Sequence, residues 1–120
     1  MSDLDIAEVQ RSLRDFARAR EWEQFHTPKN LAMALSGEAG ELCEIFQWLT
    51  PDESWQVMED ERAAQAVRDE LADVLVYVLR IADVLSVDLG EAVWAKLRQN
   101  EAKYPADRVR GSAAKYTEID

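Results

Sequence analysis

Ser36-Gly37-Glu38-Ala39-Gly40-Glu41-Leu42-Cys43-Glu44 and Arg68-Asp69-Glu70-Leu71-Ala72-Asp73-Val74 are the two stretches whose reading decides the fold. Both lie in segments with helical patterning. Glu38 and Glu41 are i,i+3 neighbours, as are Glu70 and Asp73, so each pair shares one helix face a turn apart. Like charges at this spacing repel by ~0.2–0.5 kcal/mol per pair, which a solvated face tolerates. Here Leu35, Leu42, Ile45 and Phe46 flank the first stripe, and Val67, Leu71, Val74, Leu75 and Val78 flank the second. Carboxylates among apolar residues need a counter-charge. Two facing stripes offer an oxygen cage suited to Mg²⁺ or Mn²⁺. The competing reading is a pair of acidic faces in water.

With 120 residues, 48% of them hydrophobic, the chain is long enough for one domain with a core. The formal net charge of -10 argues against nucleic acid or an anionic membrane as partner. It also repels a phosphate substrate unless metal ions intervene. Cys43 is the single cysteine, so no intrachain disulfide forms; it reads as a small packing residue. No apolar run approaches membrane-spanning length, and Met1-Ser2-Asp3-Leu4-Asp5 has no signal-like apolar core. The expectation is a soluble, cytoplasmic protein.

Outward from the stripes, the patterning predicts an all-α bundle of four helices over residues 1–120, with 106–120 as an extended polar tail. Ile6, Val9, Leu13, Phe16 and Ala17 give one apolar face to a helix over 3–21, with Ser2 or Asp3 as cap. Thr27-Pro28 opens a second helix, about 28–49, that contains Gly37 and Gly40. Those glycines suggest a close approach by a ligand or another backbone, or a tight helix crossing. Residues 50–58 are a connector. A third helix spans about 59–85. Its C-terminal half is so apolar that burial on most sides, hence oligomerisation, is expected. Asp88 caps a fourth helix over about 89–103, with Leu89, Val93, Trp94 and Leu97 inward, and Tyr104-Pro105 stops it.

The faces also carry aromatics. Tyr77 lies four residues after Asp73, and Trp48 seven after Glu41. Metal at one end and rings at the other suit a nucleotide, although aromatics at helical spacing also serve as core. Lys96 and Asn100 are i,i+4 partners that suit a phosphate and a sugar, or form a plain surface pair. A di-iron centre would need Glu-x-x-His pairs, and the single histidine, His26, lies outside the stripes.

The pattern Glu38-x-x-Glu41 followed by Glu70-x-x-Asp73 resembles the metal signature of the MazG-like all-α nucleotide pyrophosphohydrolases. Trp22-Glu23-Gln24-Phe25-His26-Thr27-Pro28-Lys29-Asn30-Leu31 resembles the substrate-pocket segment of their dCTP pyrophosphatase branch. So do Phe46-Gln47-Trp48, the step from Asp73 to Tyr77, Val87-Asp88-Leu89, Lys96 with Asn100, Tyr104-Pro105 and Ser112 through Glu118. The resemblance covers nearly the whole chain. It implies dimers, or tetramers built from two dimers. It also implies magnesium-dependent hydrolysis of a nucleoside triphosphate to monophosphate and pyrophosphate, with dCTP or its modified forms preferred, as nucleotide-pool cleaning.

Carried over by position, Glu38, Glu41, Glu70 and Asp73 would be the catalytic metal ligands. One of them, or Glu44, would orient the attacking water. Trp22, Glu23, Gln24, Phe25, His26, Trp48 and Tyr77 would line the base and sugar pocket, and Lys96 and Asn100 would contact phosphate or sugar. One departure stands out. Animal members resembled here carry a histidine in the first helix, where this chain has Leu13. That removes a polar contact, so the base preference need not follow the branch. The rival from another class is a helical interaction module without the chemistry.

Overall fold

Helix α1, Ile6–Ala19, begins where the Asp5 side chain accepts from the Glu8 amide, so the cap lies later than Ser2 or Asp3. Its end is a Schellman turn. The Trp22 amide donates to the Ala17 carbonyl at 2.9 Å and the Glu21 amide to the Arg18 carbonyl at 3.1 Å. Glu21 occupies the left-handed region at φ 54°, where glycine is usual. Trp22 meets Phe16 edge-on, ring centroids 5.7 Å apart, which supplies the apolar contact such turns favour. This reversal leads into a single 3₁₀ turn, Glu23–Phe25.

Helix α2, Pro28–Phe46, starts as expected: Thr27 caps the Asn30 amide and Pro28 takes the first helical position. It ends three residues short of Leu49. Thr50, expected to close α2, instead opens the single-turn helix α3, Pro51–Ser54, through a reciprocal capping box with Glu53. A second 3₁₀ turn, Val57–Glu59, leads to α4, Glu61–Val84, capped by Asp60. Asp88 caps α5, Leu89–Lys103, with the bounds the patterning predicts. The tail holds one further turn, α6, Ala106–Val109.

The computed structural model describes residues 2–114 and 117, and among them the architecture is all-helical, with no strand. Lys115, Tyr116 and Glu118 of the tail lie outside the described residues. No helix of the described residues is long and apolar enough to cross a membrane.

The chain divides into two compact units, Met1–Ser86 and Val87–Asp120. In the first, α2 pairs extensively with α4, and α1 also docks on α4. Ala17, Leu31, Ala64, Val67, Leu79 and Ala82 form its buried apolar core. Of the expected α1 face only Ala17 is buried. Polar groups make much of the α1–α4 contact: the Gln10 amide donates to the Leu79 carbonyl at 2.9 Å, and Arg14 pairs with Asp83 at 2.6 Å. On α4, Leu71 is 53% and Leu75 41% exposed, so the chain by itself does not cover the apolar run that reads in sequence as buried on most sides through oligomerisation. In the second unit, Val93, Trp94 and Leu97 of α5, expected inward, are exposed.

Candidate functional site

The α2–α4 pairing brings the two acidic stripes together. Glu38, Glu41 and Glu70 each present a carboxylate oxygen, and these lie within 4.8 Å of one another. Glu38 and Glu70 are half-buried and Glu41 is exposed. Glu38 Oε2 and Glu70 Oε2 are buried with no hydrogen-bond donor among the described residues. Ionised carboxylates only accept, so oxygens facing one another satisfy nothing. The Glu70 carboxyl is lifted from the usual 4.5 to about 7, first by a hydrogen bond to Glu38, then by burial, then by the Glu41 carboxyl and the charges of both neighbours. A proton on Glu70 would relieve the repulsion among these carboxylates. A cation performs the same service without protonating the site.

Three facing oxygen donors with no nitrogen or sulfur among them fit a hard divalent cation. A cleft of about 330 Å³, lined by Glu41, Glu44, Ile45, Ala66 and Glu70, opens beside the group. Asp73, one turn beyond Glu70, is exposed and is not part of the cluster. Gly37 and Gly40 face open space: a Cβ on either would meet nothing within 4 Å. Among the described residues no tight helix crossing accounts for them.

The Trp22-to-His26 segment follows the Schellman turn and is pinned at several points. Arg18 pairs with Glu23 at 3.0 Å, the Gln24 amide donates to the Glu21 carbonyl at 3.0 Å, and Asn30 Nδ2 donates to the Phe25 carbonyl at 3.0 Å. Trp22 and Phe25 remain exposed, and the Trp22 ring lies 6.5 Å from the His26 ring. His26 Nδ1 accepts from Arg80 Nε at 3.2 Å. Burial first, and the Arg80 charge second, lower the His26 pKa below 6.5.

Tyr77 is half-buried on α4, one turn past Asp73 as its spacing requires. Trp48 is 87% exposed. Counting two helical turns from Glu41 overreaches, because α2 stops at Phe46 and Trp48 sits in the turn beyond it. Lys96 and Asn100 lie on α5 in the second unit, where Lys96 Nζ donates to Gln99 Oε1 at 3.0 Å. Leu13 is half-buried and lines a cleft of about 420 Å³ with residues that include Leu4, Val9 and Phe16.

Sequence reasoning missed Arg80, Asp83 and Arg14. Arg80 is a charged residue only 7% exposed, inside the most apolar stretch of the chain. A lone arginine interrupting an apolar helical run was the available signal, because a buried charge requires a partner.

The MazG-like family model matches residues 33–119. The dCTP pyrophosphatase 1 of Bos taurus is 42% identical over 118 residues, covering 98% of this chain and 70% of the relative. That of Homo sapiens is 44% identical over 114 residues, covering 95% of this chain and 67% of the relative. Among solved structures, a pyrophosphatase from Archaeoglobus fulgidus DSM 4304 superposes with a TM-score of 0.78 at 43% identity, covering 88% of this chain and 96% of that one.

Proposed function

The chain belongs to the MazG-like family, and from that premise we propose that it is a metal-dependent nucleoside triphosphate pyrophosphohydrolase. Its substrate on this reading is a deoxynucleoside triphosphate, dCTP or a modified dCTP, and its role is nucleotide-pool cleaning. The 42–44% identity to the bovine and human dCTP pyrophosphatases over nearly the whole chain supports the reaction class. The observation that carries the reading is the Glu38–Glu41–Glu70 group, with two buried oxygens that lack donors among the described residues, beside an open cleft.

Glu38, Glu41 and Glu70, with Asp73 one turn further on, would hold Mg²⁺ or Mn²⁺. When bound, the cation supplies Lewis-acid charge for the phosphates. The chain's own groups do the rest. A carboxylate takes a proton from water as its oxygen adds to phosphorus, and the bond to the bridging oxygen between the α and β phosphates breaks, releasing pyrophosphate. Glu44 lines the cleft with Glu41 and Glu70, which suits it to orient that water. Trp22, Glu23, Gln24, Phe25, His26, Trp48 and Tyr77 would receive base and sugar, and Lys96 and Asn100 would contact phosphate or sugar. With a net charge of -10, the protein repels a polyphosphate without a cation, so metal and substrate belong together.

Leu13 favours a second reading within the same class: a base preference different from, or broader than, that of the named relatives. A homodimer or tetramer is also part of the proposal, because Leu71 and Leu75 leave apolar surface on α4 for another copy to cover. The expected compartment is the cytoplasm.

The test is a panel of deoxy- and ribonucleoside triphosphates incubated with the protein and Mg²⁺, with products identified. Monophosphate plus pyrophosphate, fastest from dCTP, is the expected result. The same products with another base preferred would keep the chemistry and move the specificity to Leu13. No hydrolysis by folded protein would favour a helical interaction module.

A further inference from the structure

Arg80 is the buried polar residue of the α4 core, and its guanidinium has two partners. Nη1 donates to Asp83 Oδ2 at 3.4 Å, and Nε donates to His26 Nδ1 at 3.2 Å. Asp83 is in turn fastened to α1 by Arg14 at 2.6 Å. The charged groups facing the histidine through this network are therefore Arg80, Asp83 and Arg14, on α4 and α1. A guanidinium can only donate, so Nδ1 must accept and carries no proton. In a neutral ring the proton then sits on Nε2.

We propose that Arg80 is a positioning residue that fixes His26 as the Nε2–H tautomer, so that the imidazole offers the nucleotide a hydrogen-bond donor. The inference rests on the nucleotide-hydrolase reading for its ligand, but the tautomer itself does not depend on that reading. A protonated ring would turn an N–H toward the guanidinium, so the geometry disfavours the imidazolium. The lowered His26 pKa agrees. On this proposal His26 is a neutral donor, suited to a carbonyl or hydroxyl oxygen of base or sugar. Asp83 and Arg14 hold Arg80 rather than the ligand.

His26 is the single histidine, so one imidazole system appears in a long-range ¹H–¹⁵N spectrum of the full chain. The expected wild-type spectrum at neutral pH shows a protonated Nε2 and an unprotonated Nδ1. Arg80→Met should give a tautomer mixture. It should also raise KM about 3- to 10-fold, the scale of one lost hydrogen bond, with kcat largely kept. An Nδ1–H tautomer in the wild type, or an unchanged spectrum in Arg80→Met, would overturn the positioning role. Should Arg80→Met not fold, the wild-type spectrum still decides the tautomer, and His26 variants decide the donor. His26→Gln keeps an amide donor near the place of Nε2 and should retain low KM, whereas His26→Phe should lose it. Equal KM values in these two variants would overturn the donor role. A wild-type protein that hydrolyses no triphosphate would instead sink the enzymatic reading, with the tautomer still read independently.

Discussion

Glu38 on α2 and Glu70 on α4 meet across the helix pair, their carboxylate oxygens within 4.8 Å and each with a buried Oε2 that no donor among the described residues satisfies. Thirty-two positions separate them in sequence. The pairing stores repulsion that either a proton or a cation relieves.

Divalent metal should therefore stabilise the folded chain without nucleotide. At a free Mg²⁺ concentration 100 times the Kd, linkage gives ~2.7 kcal/mol, a rise of several degrees in Tm. Thermal melts with and without Mg²⁺ check this, and coincident melts at saturating metal would argue against a preformed cage.

The metal-free protein should lose stability as pH rises. Glu70 titrates at about 7 when folded, against a usual 4.5, so between these values the folded chain binds more protons than the unfolded. The contribution is complete below 4.5 and is lost as pH rises through 7. Glu70→Gln should flatten this part of the Tm profile, and Mg²⁺ should bind more tightly as pH rises through the same window. A profile unchanged by Glu70→Gln would place the proton elsewhere.

Glu41→Gln and Asp73→Asn should each reduce turnover at least ~10²-fold while helical content and assembly stay intact, since changes even to outer-shell partners cost 10- to 100-fold. Circular dichroism, light scattering and pyrophosphate release make the comparison. Normal turnover in Asp73→Asn alone would reduce the ligand set to the three clustered acids.

Glu21 adopts φ 54° to close the Schellman turn of α1. Glu21→Gly should relieve ~1 kcal/mol of left-handed strain, partly offset by the freedom glycine gains when unfolded. A modest rise in Tm is expected from chemical or thermal unfolding. A fall would mean that the Glu21 side chain contributes more than its strain costs.

Much of the candidate site was legible because its parts are local. The i,i+3 carboxylate pairs, the Thr27-Pro28 start and the Asp88 cap each depend on a few consecutive residues, and the α5 bounds followed from them. Trp48 shows the limit: helical counting fails where the helix ends, and the capping box of Thr50 and Glu53 begins a new turn just beyond it. The apolar run of α4 marks another limit: Leu71 and Leu75 stay exposed within the chain. Apolarity says that a face seeks cover, but not that the same chain provides it.

The sequence by itself determined the helical class, the acids and their spacing along each helix, because backbone geometry repeats every 3.6 residues. It also carried the family likeness, in motifs spread along nearly the whole chain. Only the tertiary structure decided which carboxylates face one another, that Glu70 is the one whose pKa its neighbours raise, and that Arg80 reaches back to His26. Those relationships depend on how α2, α4 and the turn after α1 pack in space. Packing register is set by side chains far apart in the chain, and no local spacing encodes it.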